Sequence, residues 1–120
     1  MKENIVREKS MSFAIRIVNL YKFLCEKKEF VLSKQVLKSG TSIGANLAEA
    51  DSAISKKDFL AKVYISLKEC AETGYWLELL SKTDFITNKE FESINADREE
   101  LFKMLTTITK TTRESLNNVK

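Results

Sequence analysis

The stretch Ser39-Gly40-Thr41-Ser42-Ile43-Gly44-Ala45-Asn46-Leu47-Ala48-Glu49-Ala50 puts two glycines and a run of small polar residues where the flanking sequence reads as helix. A glycine inside a helix costs about 1 kcal/mol relative to alanine, so Gly40 and Gly44 require a structural reason. They lie one turn apart on one face, and Ala48 extends the row. Such a row of small residues lets a second backbone approach closely. The expectation is that Gly40, Gly44 and Ala48 face a tightly packed neighbouring helix. On an adjoining face Gln35, Ser42, Asn46 and Glu49 form a polar ladder. Those groups read as caps, or as hydrogen bonds across helices inside the bundle or an interface. The competing reading is a ligand or metal site in which Glu49 joins Glu69 and Glu72. Di-iron bundles use Glu-x-x-His pairs, and this chain has no histidine. A carboxylate-only site for Mg²⁺ or Mn²⁺ has little else behind it, so no metal or cofactor is expected.

Outward from this stretch, Val36, Gly40, Ile43, Leu47, Ala50 and Ile54 alternate steps of four and three, a heptad-like seam. It belongs to the second of four periodic segments, expected as helices over about 4–27, 33–53, 55–81 and 88–117. The first carries Val6, Phe13, Ile17, Leu20 and Leu24 at helical spacing. The third opens at Ser55-Lys56-Lys57-Asp58, where Ser55 can cap and Asp58 puts a carboxylate in the first turn. The fourth opens at Thr87-Asn88-Lys89-Glu90, a capping box, and runs through Phe91, Ile94, Leu101, Leu105, Ile108 and Val119. Its threonine-rich end is a mediocre helix former and is expected to fray.

The chain of 120 residues has no proline and three glycines, which excludes an all-β fold and suits one all-α domain. Short connections make successive helices antiparallel, an up-down-up-down four-helix bundle. No stretch approaches the roughly 20 apolar residues of a membrane span. The charged start MKENIVREKS lacks a signal-peptide core, so a cytoplasmic location is expected and no membrane partner. Cys25 and Cys70 stand singly in apolar helical patterns and read as free buried thiols.

Three segments carry a resemblance to a known family: Ser42-Ile43-x-x-Asn46-Leu47-Ala48-Glu49-Ala50, Ser55-Lys56-Lys57-Asp58-Phe59-x-x-Lys62, and Leu67-Lys68-Glu69-x-Ala71-Glu72-Thr73-x-Tyr75-Trp76-Leu77. Over about 32–80 the chain resembles the bacterial four-helix-bundle proteins encoded in intervening sequences of 23S ribosomal RNA genes. The resemblance implies a left-handed bundle assembling as a homopentameric ring. It also implies kinship with the accessory variability protein of diversity-generating retroelements, a basic pentamer thought to bind nucleic acid and a reverse transcriptase. It implies no enzymatic activity, and binding of ribosomal RNA does not follow from the family's name.

Without histidine there is no Ser-His or Cys-His dyad, and the glycine spacing inside a helix cradles no phosphate. Tyr75 and Trp76, flanked by leucines, are expected in the core or a subunit interface rather than as a stacking platform for bases. The third helix is apolar around much of its circumference. Phe59, Val63, Cys70 and Leu77 share one face, and Ile65, Trp76 and Leu79 cover another, which is expected to bury against a second subunit.

Net charge is only +3, but residues 1–38 carry +5, residues 39–100 carry −5 and residues 101–120 carry +3. Lys2, Lys9 and Arg16 recur every seven residues, and Lys103, Lys110 and Arg113 follow a similar spacing. An antiparallel bundle brings the two stripes to one end, where Arg7 joins them. Repetition around a ring would multiply them into a strong positive field. Two functions of different class stand open: an oligomer that binds RNA or DNA through this basic surface, and an oligomeric scaffold that displays surfaces to a protein partner.

Overall fold

The computed structural model describes residues 2–118, with side chains from Ile5 onward, and its four helices are α1 (Lys2–Glu26), α2 (Leu32–Ala50), α3 (Lys56–Lys82) and α4 (Asn88–Asn117). No strand occurs among the described residues. Each helix packs against its neighbours in sequence, and α1 and α4 close the ring through the slightest of the four contacts. The result is an antiparallel up-down-up-down bundle 55 Å long and about 22 Å across. Val119, read from sequence as part of the last helix's apolar stripe, lies outside the described residues.

Helix starts follow the local chemistry. Ser55 Oγ accepts the Asp58 N–H at 3.0 Å, and Thr87 and Glu90 close the reciprocal capping box. The start of α2 carries a cap that the sequence pattern did not reveal. The Glu29 carboxylate, four residues before Ser33, accepts the backbone N–H groups of Leu32 at 3.0 Å and Ser33 at 2.6 Å. Burial pushes this carboxyl up, but the backbone donors of Leu32, Ser33 and Val31 outweigh it and hold it below its ordinary range. With no glycine to spare, the turns after α1 and α3 place Lys28 (φ 64°) and Asp84 (φ 67°) in the left-handed region. Glu29 N–H then bonds back to Leu24 C=O and Phe85 N–H to Leu80 C=O.

The expected end of the second helix needs correction here. The second helix stops at Ala50, where i→i+3 bonds from Ser52 to Glu49 and Ala53 to Ala50 tighten and end it. Ile54 therefore leaves the seam and is 96% exposed. Ile54→Ser should accordingly shift stability by no more than about 0.5 kcal/mol in chemical denaturation. The fourth helix keeps its expected bounds, running through its threonines to Asn117, with Thr106 and Thr107 hydroxyls donating back one turn to Phe102 and Lys103 carbonyls.

The core collects Val6, Phe13, Ile17 and Leu24 from α1 and Val36, Ile43, Leu47 and Ala50 from α2. On α3 the buried seam is Val63, Ser66, Cys70, Thr73, Leu77 and Leu80, alternating steps of three and four. Two of these six are polar, and both face α2. The Ser66 hydroxyl donates to the Ile43 carbonyl, and Thr73 Oγ1 lies 2.8 Å from Glu69 O and 3.0 Å from Ser39 Oγ. Small hydroxyl residues here let α2 and α3 approach closely while keeping their polar atoms paired.

Candidate nucleic-acid interface and helix-packing faces

The glycine row does what its spacing suggests at two of its three positions. A Cβ on Gly40 would stand 2.7 Å from Ile17 Cγ1, and one on Gly44 would stand 3.2 Å from Ser10 Oγ, so both glycines admit α1. Gly40 is buried and Gly44 half-buried, whereas Ala48 is exposed at the edge of the contact. Gly44 and Ala48 also line an open groove of about 480 Å³ between α1 and α2, shared with Ser10, Met11, Ala14, Thr41 and Ala45 and bordered by Arg7 and Glu8.

The polar ladder splits into local and cross-helix bonds. Ser42 Oγ donates to Lys38 O and Asn46 Nδ2 to Ser42 O, both within α2, while Glu49 accepts Lys62 Nζ of α3 at 2.7 Å. That carboxylate raises the Lys62 pKa by its hydrogen bond and its charge. No trio of His, Cys, Asp or Glu among the described residues is placed to hold a metal ion. Glu69 and Glu72 lie along the α3 side of the same surface. Partial burial, then the Glu72 charge, raises the Glu69 carboxyl.

Tyr75 and Trp76 part company. Trp76 is half-buried against the core and donates its indole N–H to Glu72 at 2.9 Å. Tyr75 is 61% exposed, edge-on to Trp76 with ring centroids 5.0 Å apart. Within one subunit Tyr75 is thus not a core residue, because it falls at the outermost position of α3, two residues from each of the seam residues Thr73 and Leu77. Ile65 and Tyr64 are exposed on the same helix.

A third glycine went unread in the sequence. A Cβ on Gly74 would stand 2.7 Å from the Arg98 guanidinium carbon. The missing side chain lets Arg98 lie over α3 and donate to Cys70 O at 3.3 Å and to Asn95 Oδ1 at 2.7 Å. The only signal for this was Gly74 itself, on the α4 side of α3.

Both cysteines are free, Cys25 half-buried and Cys70 buried. Burial pushes the Cys70 thiol up to about 11, against the opposing pull of Arg98. Under native conditions near pH 8 a thiol reagent should therefore modify Cys25 well before Cys70, read by peptide mass mapping. Above pH 9 the unfolded chain ionises Cys70 while the folded chain does not. Stability attributable to this group is full below about pH 9 and declines as pH rises towards about 11. Cys70→Ala should remove that part of the alkaline decline.

The basic residues fall into two sets. Arg7 pairs with Asp51, Lys9 with Glu100 at 3.0 Å, and Arg16 with Asp97 at 2.8 Å, its guanidinium also donating to Ser93. These three tie α1 to α2 and to α4 rather than standing free. They lie on the two flanks of α1, positions from which a long cation reaches the neighbouring helix. Lys103, Lys110 and Arg113 are exposed on α4, and none forms an ion pair among the described residues. Lys56, whose ammonium donates to Ser115 at 2.7 Å, brings the start of α3 alongside the end of α4 and adds Lys57 to the same end. The Lys2 side chain lies outside those described. A second open groove of about 460 Å³ follows the slight α1–α4 contact, floored by Leu20, Phe23, Ile86 and Ile94.

No described helix is long and apolar enough to cross a membrane. A comparison with curated proteins finds no match. Among solved structures, the bundle superposes with a TM-score of 0.90 on a protein of unknown function from the S23 ribosomal protein family of Bacteroides thetaiotaomicron VPI-5482. The two are 59% identical, over 92% of this chain and 99% of that one. The family model for the 23S rRNA-intervening sequence protein matches residues 2–107, the span that holds the glycine row, the capped third helix and most of α4. The chain belongs to the 23S rRNA-intervening sequence protein family.

Proposed function

We propose that this protein is a non-enzymatic, cytoplasmic homo-oligomer, a pentameric ring as the family resemblance implies, that holds RNA or DNA without reading its sequence. The observation that carries the binding half is the exposed run of Lys103, Lys110 and Arg113 on α4, joined at the bundle end by Lys56 and Lys57. Cations already committed to carboxylates attract phosphate weakly, so Arg7, Lys9 and Arg16 serve the fold and the α4 face serves the ligand. Phosphate contacts position a nucleic acid but carry no base information. Repetition around a ring raises the local field without adding charge to any one subunit.

Lys103→Glu with Lys110→Glu should weaken retention of a single-stranded RNA or a duplex DNA at least about ten-fold at low salt. For duplex DNA it should also flatten the log–log salt slope by close to two, since each neutralised phosphate accounts for roughly 0.9 of that slope. Both residues are exposed, so the fold should be untouched. Unchanged retention, or none in the parent protein at low salt, would favour a scaffold with no nucleic-acid role. One observation supports that second reading: three of the cations expected in the basic surface are engaged in ion pairs. At the opposite end, Phe30 and Val31 are exposed in the α1–α2 turn, a surface suited to a protein partner.

A further inference from the structure

We propose that the ring is built by a head-to-tail contact in which the α1–α2 groove of one subunit receives the outward edge of α3 from the next. This rests on the oligomeric reading above and names the two faces that reading leaves open. The groove of about 480 Å³ is walled by small residues, Ser10, Ala14, Gly44, Ala45 and Ala48, with Met11 at its lip 63% exposed. A concave apolar surface of this kind needs protruding apolar side chains to fill it. Tyr64, Ile65 and Tyr75 protrude from α3, far more exposed than side chains of their size in the core. One face offers a recess among small residues, rimmed by Met11, Arg7 and Glu8; the other offers protruding apolar side chains.

Heights along the bundle match as well. Ser66 bonds Ile43 and Thr73 bonds Ser39 within a subunit, and Gly44 abuts Ser10. Tyr64 and Ile65 therefore stand at the level of the groove around Ser10 and Gly44. Glu72 stands at the level of Lys38, and Glu78 at the level of Lys34. With neighbouring bundles parallel, the α3 carboxylates meet the α2 lysines. With neighbours inverted, the same carboxylates move towards the end that holds Glu8 and lose their lysines. Lys34 and Lys38 form no ion pair among the described residues, whereas Glu78 already holds Lys82 at 3.5 Å. Parallel, non-identical faces repeat by rotation and form a ring where that rotation closes; they cannot form a two-fold dimer, whose patches are the same on both sides. The occupant of the groove is thus a second copy of this chain.

Two variants test the pairing without nucleic acid. Ala45→Glu plants a charge in the groove, and Tyr64→Glu with Tyr75→Glu places charges on the edge. All these positions are exposed in one subunit, so circular dichroism should show helicity unchanged. Each variant alone should fall by light scattering to 13.8 kDa or to a small fraction of the parent mass. Mixed in equal amounts, the two should form a heterodimer and nothing larger, because only one competent groove meets one competent edge. As a second measurement, Ala45→Cys and Tyr64→Cys chains should form a disulfide between unlike chains on mild oxidation. Two variants that both keep the parent mass, a mixture that stays monomeric, or a missing unlike-chain disulfide overturns the pairing while leaving an oligomer of another geometry. A monomeric parent overturns the oligomer and the pairing together. Neither result bears on phosphate binding by α4.

Discussion

Gly40→Leu should destabilise the fold by about 3 kcal/mol, read as a lower denaturation midpoint at unchanged denaturant dependence. Gly40 is buried, and even the first added carbon would lie 2.7 Å from Ile17 Cγ1 and 2.9 Å from Ile17 Cγ2. Ile17 is itself 0% exposed, so it cannot swing aside into solvent. Relief requires α1 and α2 to part, which opens the contact that holds Phe13 and Ile17 in the core. Gly40→Ala separates two opposing effects. It gains about 1 kcal/mol of helix propensity and meets the same 2.7 Å approach, so its net cost should be well below that of leucine. Gly44→Leu should cost the monomer less than Gly40→Leu, because its nearest neighbour is Ser10 Oγ at 3.2 Å and the groove beside it is open. Gly44→Leu should instead block assembly, since its side chain occupies the space assigned to the neighbour's α3. A Gly40→Leu protein as stable as the parent would mean that α1 does not rest on α2 at this point.

That contrast between Gly40 and Gly44 marks how far the sequence could be read. Helical period, caps and the small-residue row are local signals, and each led to the right element. The four helices, the Ser55 cap, the Thr87 capping box and the close approach at Gly40 all follow from residues within a turn or two of one another. What escaped were features set by a side chain arriving from elsewhere. Ile54 continued the heptad arithmetic, yet the chain had already turned at Asp51. Ser66 and Thr73 interrupted the apolar pattern of α3, and only the partner groups Ile43 O and Ser39 Oγ explain them. Gly74 carried no meaning until Arg98 was found lying across it. The basic stripe shows the same limit. Spacing put Lys9 and Arg16 on one flank of α1, but their carboxylates, Glu100 and Asp97, come from more than eighty residues away. Counting charges along one helix could not show that this flank is neutralised and that α4 keeps the free cations.

Phe13→Ala should cost about 3–5 kcal/mol, the range for deleting a fully buried aromatic. Phe13 is 1% exposed and is among the largest side chains wholly inside the bundle. No backbone element can collapse into the void easily, because α1 is held at this level by three separate supports. Gly44 rests on Ser10, Gly40 rests on Ile17, and on the other flank Lys9 and Arg16 bridge to α4. Those bridges are solvent-exposed and worth no more than about 1 kcal/mol each, so the buried apolar contacts of Val6, Phe13, Ile17 and Leu24 carry most of the attachment of α1, and Phe13 is the largest of them. The α1–α4 side is also where the bundle is least closed, along the groove floored by Leu20, Phe23, Ile86 and Ile94. Loss of the phenyl ring should therefore show regionally before it shows globally. Amide hydrogen exchange should accelerate along α1 and on the α1-facing side of α4, with the α2–α3 pair, joined through Ser66 and Thr73, protected longest. Lys9→Ala with Arg16→Ala, by comparison, should cost no more than about 2 kcal/mol. A Phe13→Ala protein that loses protection evenly across all four helices would show instead that α1 is as firmly bound into the bundle as α2 and α3.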